Sequence, residues 1–204
     1  MRTLDGSRTV CVFCGSAPGQ FPEYKLEATN LGRLLSRHGI TGIWGAGMDG
    51  LMGAFAKACI ESGGNLIGVT TPFIQALETP VPETDQMVVI SEKDMPDRKR
   101  TMIEGADAIL ILPGGIGTLD EAAEALTLDQ LKMIVDKPII FINVLGVFDH
   151  LFAYFERLNS DGFIRFPIRY QTFRSVDVAM EKLLGQLLLS GQYLDEEKIV
   201  RLHA

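Results

Sequence analysis

The chain has 204 residues, of which 47% are hydrophobic and 22% are charged; this composition excludes an intrinsically disordered protein and suffices for one domain with a substantial core. Its net charge of −7 excludes the broad basic surface that binds duplex nucleic acid, so we expect no nucleic-acid partner. Apolar runs such as Ala108–Leu112 are far shorter than the roughly 20 residues that span a bilayer, and Met1 to Thr9 contain no apolar signal segment, so we expect a cytoplasmic protein with no membrane partner.

Short, continuous apolar runs alternate with segments of helical periodicity along the chain. Continuous runs are typical of strands that are buried on both faces of a parallel sheet. We predict strands at Val10–Phe13, Gly42–Trp44, Leu66–Val69, Ala108–Leu112 and Ile139–Asn143. Helices are predicted at Tyr24–His38, Leu51–Ile60, Leu119–Val135, Phe148–Leu158 and Val176–Leu188, with an irregular stretch at Thr70–Asp85. The alternation predicts a single α/β domain with a doubly wound parallel sheet over residues 1–190, followed by a polar C-terminal extension at 191–204.

Cys11 and Cys14 form a C-x-x-C sequence within the first predicted strand. Residues three apart on a strand point to opposite faces, whereas a redox pair needs a strand-to-helix turn and a lowered thiol pKa. We therefore predict buried, unreactive thiols. The three histidines lack the spacing of metal ligands, so we expect no metal ion and no other cofactor.

The strongest functional signal is the sequence P-G-G-I-G-T-L-D-E at Pro113–Glu121, which follows the fourth predicted strand. Its glycines allow an anion to approach the backbone closely, and the helix predicted to begin at about Thr118 would offer unpaired amides to a phosphate or carboxylate. An alternative is a capping box, in which Glu121 folds back and accepts a hydrogen bond from the amide of Thr118. The pattern by itself leaves both readings open.

Two further loops and a basic segment accompany this motif. Gly45-x-Gly47-x-x-Gly50 matches the dinucleotide-binding pattern, but the next strand runs into Thr70 and Thr71 rather than into the acidic residue that would hold a ribose. We therefore disfavour a dinucleotide. Gly15-Ser16 is a third loop at the same predicted edge of the sheet. In the segment Arg98–Arg100, Arg98 is placed to bind a phosphate or to pair with Glu121, whereas Arg100 fits a solvated helix face.

The motif P-G-G-x-G-T-x-x-E combined with Arg98–Lys99 resembles the Lonely Guy (LOG) family of cytokinin riboside 5′-monophosphate phosphoribohydrolases, long mislabelled as lysine decarboxylases. The resemblance covers Val10 to Leu188 and includes Phe13–Ser16 and the G-L-M-G sequence at Gly50–Gly53. It implies a Rossmann-like fold, a homodimer, and cofactor-free hydrolysis of the N-glycosidic bond of a nucleoside 5′-monophosphate to a free base and ribose 5-phosphate. The implied substrate is AMP or N6-isopentenyl-AMP.

The resemblance also implies the residues of the site. Arg98 and Glu121 would be the catalytic pair. The predicted substrate-binding residues are Gly15, Ser16, Gly45, Gly47, Met48, Asp94, Lys99, Gly114, Gly115, Ile116, Gly117, Thr118 and Thr127. The chain departs from the family at Pro96, Ile116 and Leu128 and near Ala46, where a third consecutive glycine is usual; these positions flank the pocket and bear on base and prenyl-group preference. Two alternatives stay open: a general AMP nucleosidase, and a non-catalytic protein of the same fold that binds a nucleotide or the molybdenum cofactor.

Overall fold

A computed structural model describes residues 8–77, 79, 81–82, 84–134 and 136–187. Within these residues, seven strands form one sheet in the order β4-β3-β2-β1-β5-β6-β7, and every neighbouring pair is parallel. The strands are β1 (Thr9–Phe13), β2 (Thr41–Trp44), β3 (Leu66–Thr70), β4 (Met87–Ser91), β5 (Ala108–Ile111), β6 (Ile139–Ile142) and β7 (Gln171–Phe173). The helices are α1 (Pro22–Arg37), α2 (Gly50–Glu61), α3 (Pro72–Gln75), α4 (Met95–Gly105), α5 (Ile116–Gln130), α6 (Asp149–Ser160) and α7 (residues 176–187). The predicted doubly wound, Rossmann-like α/β fold is confirmed.

The strand order places β1 and β5 side by side at the centre of the sheet. The chain moves outward in one direction from β1 to β4 and then crosses back to continue from β5 to β7 in the other. The loops that follow β1 and β5 therefore start next to each other and lead toward opposite edges of the sheet. In open α/β sheets, ligands bind at this switch point, outside the carboxyl ends of the strands.

The core has two layers, one on each face of the sheet. The apolar faces of α1, α2 and α7 pack on one side, and those of α4, α5 and α6 pack on the other. Alternate residues of β1 enter the two layers, so that Cys14 lies in the first and Cys11 in the second. Both thiols are buried and unbridged, and burial raises their pKa values. The prediction of buried thiols on opposite faces is confirmed.

The two strands absent from the sequence prediction, β4 and β7, are the edges of the sheet. Val88 and Val89 of β4 are about half exposed, and β7 consists only of Gln-Thr-Phe. β4 does carry a continuous apolar run, Met87–Ile90, which is not among the predicted strands, whereas β7 is too short and too polar to show one. The irregular stretch after β3 contains the short helix α3.

Some predictions fall outside the described residues. The proposed extension at 191–204 lies there, as does Leu188 at the predicted end of the last helix. Within the described part of the chain, none of the helices combines the length and the apolar character needed to cross a membrane. The expected cytoplasmic location stays a prediction.

Candidate active site

Three glycine loops are in direct backbone contact at the carboxyl edge of the sheet. The amide of Gly15, after β1, donates to the carbonyl of Pro113 after β5 (3.0 Å). The carbonyl of Gly15 accepts from the amides of Leu51 and Met52 in the first turn of α2 (3.0 and 3.2 Å). A Cβ atom on Gly15 would lie 3.1 Å from the Cα of Gly114. Because the loops are packed backbone to backbone, a side chain at this point would force them apart.

Arg98 of α4 spans the top of this edge and is anchored by main-chain carbonyls. Its Nε donates to the carbonyl of Val69 at the end of β3 (2.8 Å), and its Nη2 donates to the carbonyl of Gly45 after β2 (3.1 Å). A Cβ atom on Gly45 would collide with that same Nη2 atom. The absent side chain of Gly45 is therefore what allows a buried guanidinium to lie across the loop.

The third partner of Arg98 is the carboxylate of Glu121, in the second turn of α5. Arg98 Nη1 lies 3.3 Å from Glu121 Oε1, and the two side chains are only 7% and 13% exposed. The pairing predicted from the sequence is therefore present. The pair lies in an environment largely shielded from water, where the attraction between the guanidinium and an ionised carboxylate is stronger than at a surface.

The capping-box alternative is wrong, because α5 begins at Ile116 rather than at about Thr118. Gly115 occupies the N-cap position in an extended conformation (φ −92°, ψ −156°) and leads directly into the helix. Thr118 is thus an interior helical residue, buried with its side chain against the position of a Cβ on Gly114. The carboxylate of Glu121 pairs with Arg98 instead of capping its own helix.

The environment of Glu121 shifts its protonation equilibrium. The pKa of Glu121 is raised from its ordinary value of 4.5 to about 7, chiefly by burial and to a smaller extent by the nearby charge of Asp120. The positive charges of Arg98 and Lys99 act in the opposite direction but do not offset burial. At neutral pH, both the carboxylate and the carboxylic acid of Glu121 are therefore populated, which suits a group that takes up and releases a proton.

This shift predicts a pH-dependent contribution to stability. Between pH 4.5 and 7 the unfolded chain has lost the proton of Glu121 while the folded chain retains it, so the free energy of unfolding falls as the pH rises. The full loss for a shift from 4.5 to about 7 is about 3 kcal/mol. We expect the difference in unfolding free energy between Glu121→Gln and the wild type, measured in urea at pH 5 and pH 8, to change in favour of the variant at pH 8. A difference that does not vary with pH would contradict the burial of an ionisable group at this position.

The remaining predicted residues fall into groups. Gly114, Gly115, Ile116, Gly117 and Thr118 form the start of α5, where Ile116 is 82% exposed and a Cβ on Gly115 or Gly117 would meet open space. Ser16 is exposed on the loop after β1. In the loop after β2, the carbonyl of Gly47 accepts from Trp44 Nε1 (3.1 Å), and Met48 lines a cavity of about 300 Å³. Ala46 in this loop adopts φ 63°, a left-handed conformation consistent with the family's preference for glycine nearby.

The side chains of two predicted residues form hydrogen bonds within their own helices. Asp94 caps α4, since its Oδ1 accepts from the amide of Asp97 (2.9 Å). Thr127 is exposed, and its hydroxyl donates to the carbonyl of Ala123 (2.8 Å). Nine residues beyond Thr118, it lies about 13 Å further along α5 and on the opposite side of the helix. Within one chain, Thr127 cannot reach a ligand bound at the start of α5.

Several contacts of the site were not predicted from the sequence. The carbonyl of Val69 anchors Arg98, and no sequence pattern marks a carbonyl as a ligand. Lys99 pairs with Asp120 and Glu124 of α5. The four-residue spacing of these two acids places them on one helix face, a signal that could have been used. Across the described ranges, no cluster of three or more histidine, cysteine, aspartate or glutamate side chains could hold a metal ion.

Comparisons with solved structures reveal the same fold in other proteins. The molybdenum cofactor carrier protein of Chlamydomonas reinhardtii superposes with a TM-score of 0.67 at 19% identity, covering 89% of this chain and 99% of that one. The molybdenum cofactor binding protein of Rippkaea orientalis superposes with a TM-score of 0.66 at 20% identity, covering 89% of this chain and 98% of that one. At these identities the similarity establishes the architecture alone.

Sequence comparisons are more specific. The family model described as "Possible lysine decarboxylase" matches residues 52–184. The cytokinin riboside 5′-monophosphate phosphoribohydrolase LOG of Oryza sativa subsp. japonica is 37% identical over 184 residues, which cover 88% of this chain and 75% of that protein. The enzyme LOG5 of Arabidopsis thaliana is 34% identical over 174 residues, which cover 85% and 75%. With the motif, the fold and these relatives in agreement, the chain belongs to the Lonely Guy (LOG) family, whose model carries the lysine decarboxylase description.

Proposed function

We propose that this protein is an N-glycosyl hydrolase that cleaves nucleoside 5′-monophosphates into a free base and ribose 5-phosphate. The observation that carries the proposal is the buried Arg98–Glu121 pair at the edge where the three glycine loops meet. A protein that only binds a nucleotide needs the anion-binding loop but has no use for a buried carboxylate with a raised pKa. The named activity of its relatives is the same hydrolysis.

The start of α5 is our proposed site for the 5′-phosphate. The amides of its first turn have no partners within the helix, and the helix dipole places partial positive charge there. Open space lies next to Gly115 and Gly117, so a phosphate can approach the backbone. Binding energy gained at the phosphate would then hold the ribose in place for reaction at C1′.

Glu121 supplies the chemistry in this proposal. Breaking the C1′–N bond generates positive charge on the ribose, as in other glycoside hydrolysis, and the ionised carboxylate stabilises it. Water forms the new O–C1′ bond and gives a proton to Glu121, while the electron pair of the breaking bond goes to the base, which takes up a proton from solvent water and is released. Because the pKa of Glu121 is about 7, the residue can accept the proton of the water and release it again near neutral pH.

We also propose that the protein acts as a homodimer through α5, the turn that follows it and the segment after α6. Leu119, Leu131, Met133, Phe163 and Phe166 are exposed there, by between 39% and 76%. Single exposed apolar residues are common, but a group of this size favours an interface. Thr127 lies on α5 too, where a second chain could reach it. Light scattering coupled to size exclusion would detect the dimer.

Incubation of the protein with AMP and with N6-isopentenyl-AMP, followed by chromatography, tests the proposed activity. We expect free base and ribose 5-phosphate in equal amounts, with no metal or cofactor added. A higher kcat/KM for AMP than for the prenylated nucleotide would make the protein a general AMP nucleosidase. Nucleotide binding without any release of base would contradict the proposal and favour a carrier or sensor.

A further inference from the structure

Lys99 carries a charge that is already neutralised within the chain. Its Nζ atom lies 2.9 Å from Asp120 Oδ2 and 2.7 Å from Glu124 Oε2, and its side chain is only 14% exposed. Two carboxylates therefore surround one ammonium group, which leaves the cluster with a net negative charge. Such a cluster repels a phosphate rather than attracting it.

The direction of the Lys99 side chain leads to the same conclusion. Glu124 lies eight residues beyond Ile116, the first residue of α5, and so about 12 Å further along the helix axis. Asp120 lies about half as far along. The ammonium group is thus held beside the second and third turns of α5, away from the amides at its start. To reach a phosphate bound by those amides, it would have to give up at least one of its two carboxylates.

The ion pairs of Lys99 join the same two helices as the ion pair between Arg98 and Glu121. Lys99 follows Arg98 in α4, and Asp120 precedes Glu121 in α5, so two ion pairs join the same two helices at neighbouring positions. We propose that Lys99 is a positioning residue that fastens α4 to α5 through Asp120 and Glu124 and thereby sets the geometry of Arg98 and Glu121, instead of binding the substrate phosphate. This inference rests on the proposed function, because it concerns the same site.

Steady-state kinetics of Lys99→Met and of the double variant Asp120→Asn/Glu124→Gln separate the two roles. If Lys99 fastens the helices, both variants lose about tenfold or more in kcat, because a small displacement of the pair is costly, and KM for AMP stays within about twofold. Lys99→Arg should recover most of the lost kcat. Lys93→Met is the matched control: Lys93 lies just before α4, is 75% exposed and pairs with Asp97 rather than with α5, so the kinetics of this variant should match those of the wild type.

A phosphate-binding role predicts opposite results for the two variants. Lys99→Met would then raise KM at least tenfold with little change in kcat, whereas Asp120→Asn/Glu124→Gln would lower KM because the ammonium group is released toward the phosphate. Either of these results overturns the inference. Thermal unfolding of each variant confirms that the kinetics come from folded protein.

Calorimetric titration with AMP keeps this test separate from the proposed function. The titration is performed on Glu121→Gln, with and without Lys99→Met, so that no substrate is consumed. We expect the two affinities to agree within about twofold, and a tenfold loss on removal of Lys99 would overturn the inference. If the wild-type protein binds AMP but releases no base, the proposed function fails, while the affinities still decide the role of Lys99.

Discussion

Glu121→Gln is expected to lower kcat for release of base from a nucleoside 5′-monophosphate by about 10²–10³-fold, the usual effect of removing a preorganised electrostatic partner. Glutamine keeps the shape of the side chain and a carbonyl oxygen that can accept from Arg98 Nη1. It has neither the negative charge that stabilises the ribosyl cation nor a group that accepts the proton of the attacking water. Affinity for AMP, measured by calorimetry, should change little, because the proposed phosphate site is at the start of α5 and does not involve the carboxylate of Glu121.

Glu124→Gln is the matched control for this experiment. Glu124 is on the same helix and is 29% exposed, but it faces Lys99 rather than Arg98. Lys99 retains Asp120 in this variant, so the loss of kcat should be far smaller than for Glu121→Gln. Normal turnover by Glu121→Gln would show that the residue only holds α5 against Arg98, and the proposed mechanism would be wrong.

Arg98→Ala is expected to reduce the free energy of unfolding by about 3–5 kcal/mol, the usual cost of removing one partner of a buried ion pair. The change leaves the carbonyls of Val69 and Gly45 and the carboxylate of Glu121 without their donor in a buried place. The loss should be greater at pH 8 than at pH 5, because Glu121 can take up a proton at the lower pH and so avoid a buried, unpaired charge. Urea unfolding monitored by circular dichroism measures both values.

Arg100→Ala serves as the comparison for Arg98→Ala. Arg100 is two residues further along α4, with a side chain that is 61% exposed and pairs with Asp97. An exposed ion pair of this kind contributes about 0–1 kcal/mol. If the two variants lose equal stability, Arg98 is not the anchor that its three hydrogen bonds indicate.

The central strands could be predicted from the sequence because a strand that is buried on both faces consists of a continuous run of apolar residues. Each of the five predicted strands agrees with the structure to within one residue at each end. The edge strand β4 has the same kind of apolar run, Met87–Ile90, and its omission was an error of the sequence prediction. The edge strand β7 could not be predicted in this way, since its three residues form no apolar run and depend on the hydrogen bonds of β6. The sequence predicts a start of α5 two residues too late, because threonine is a common N-cap residue, whereas Gly115 occupies the N-cap position in the structure.

Part of the candidate site could likewise be predicted from the sequence, and part could not. The sequence was enough to select Arg98 and Glu121, because the glycine motif and the basic pair are read as one combination. It offered two partners for Glu121, its own helix and Arg98, and local sequence could not choose between them. The choice depended on where α4 crosses the sheet, which brings Arg98 within 3.3 Å of Glu121 from 23 residues away.

By itself, the sequence determined the alternation of strands and helices, the burial of the central sheet and the position of the glycine loop before α5, because hydrophobic periodicity and glycine act over a few neighbouring residues. Only the tertiary structure decided that Arg98 is anchored by the carbonyls of Val69 and Gly45, that burial brings the pKa of Glu121 to about 7, and that Lys99 is held by Asp120 and Glu124. These properties arise from exclusion of water and from contacts between residues that are distant in sequence. Both exist only in the folded protein.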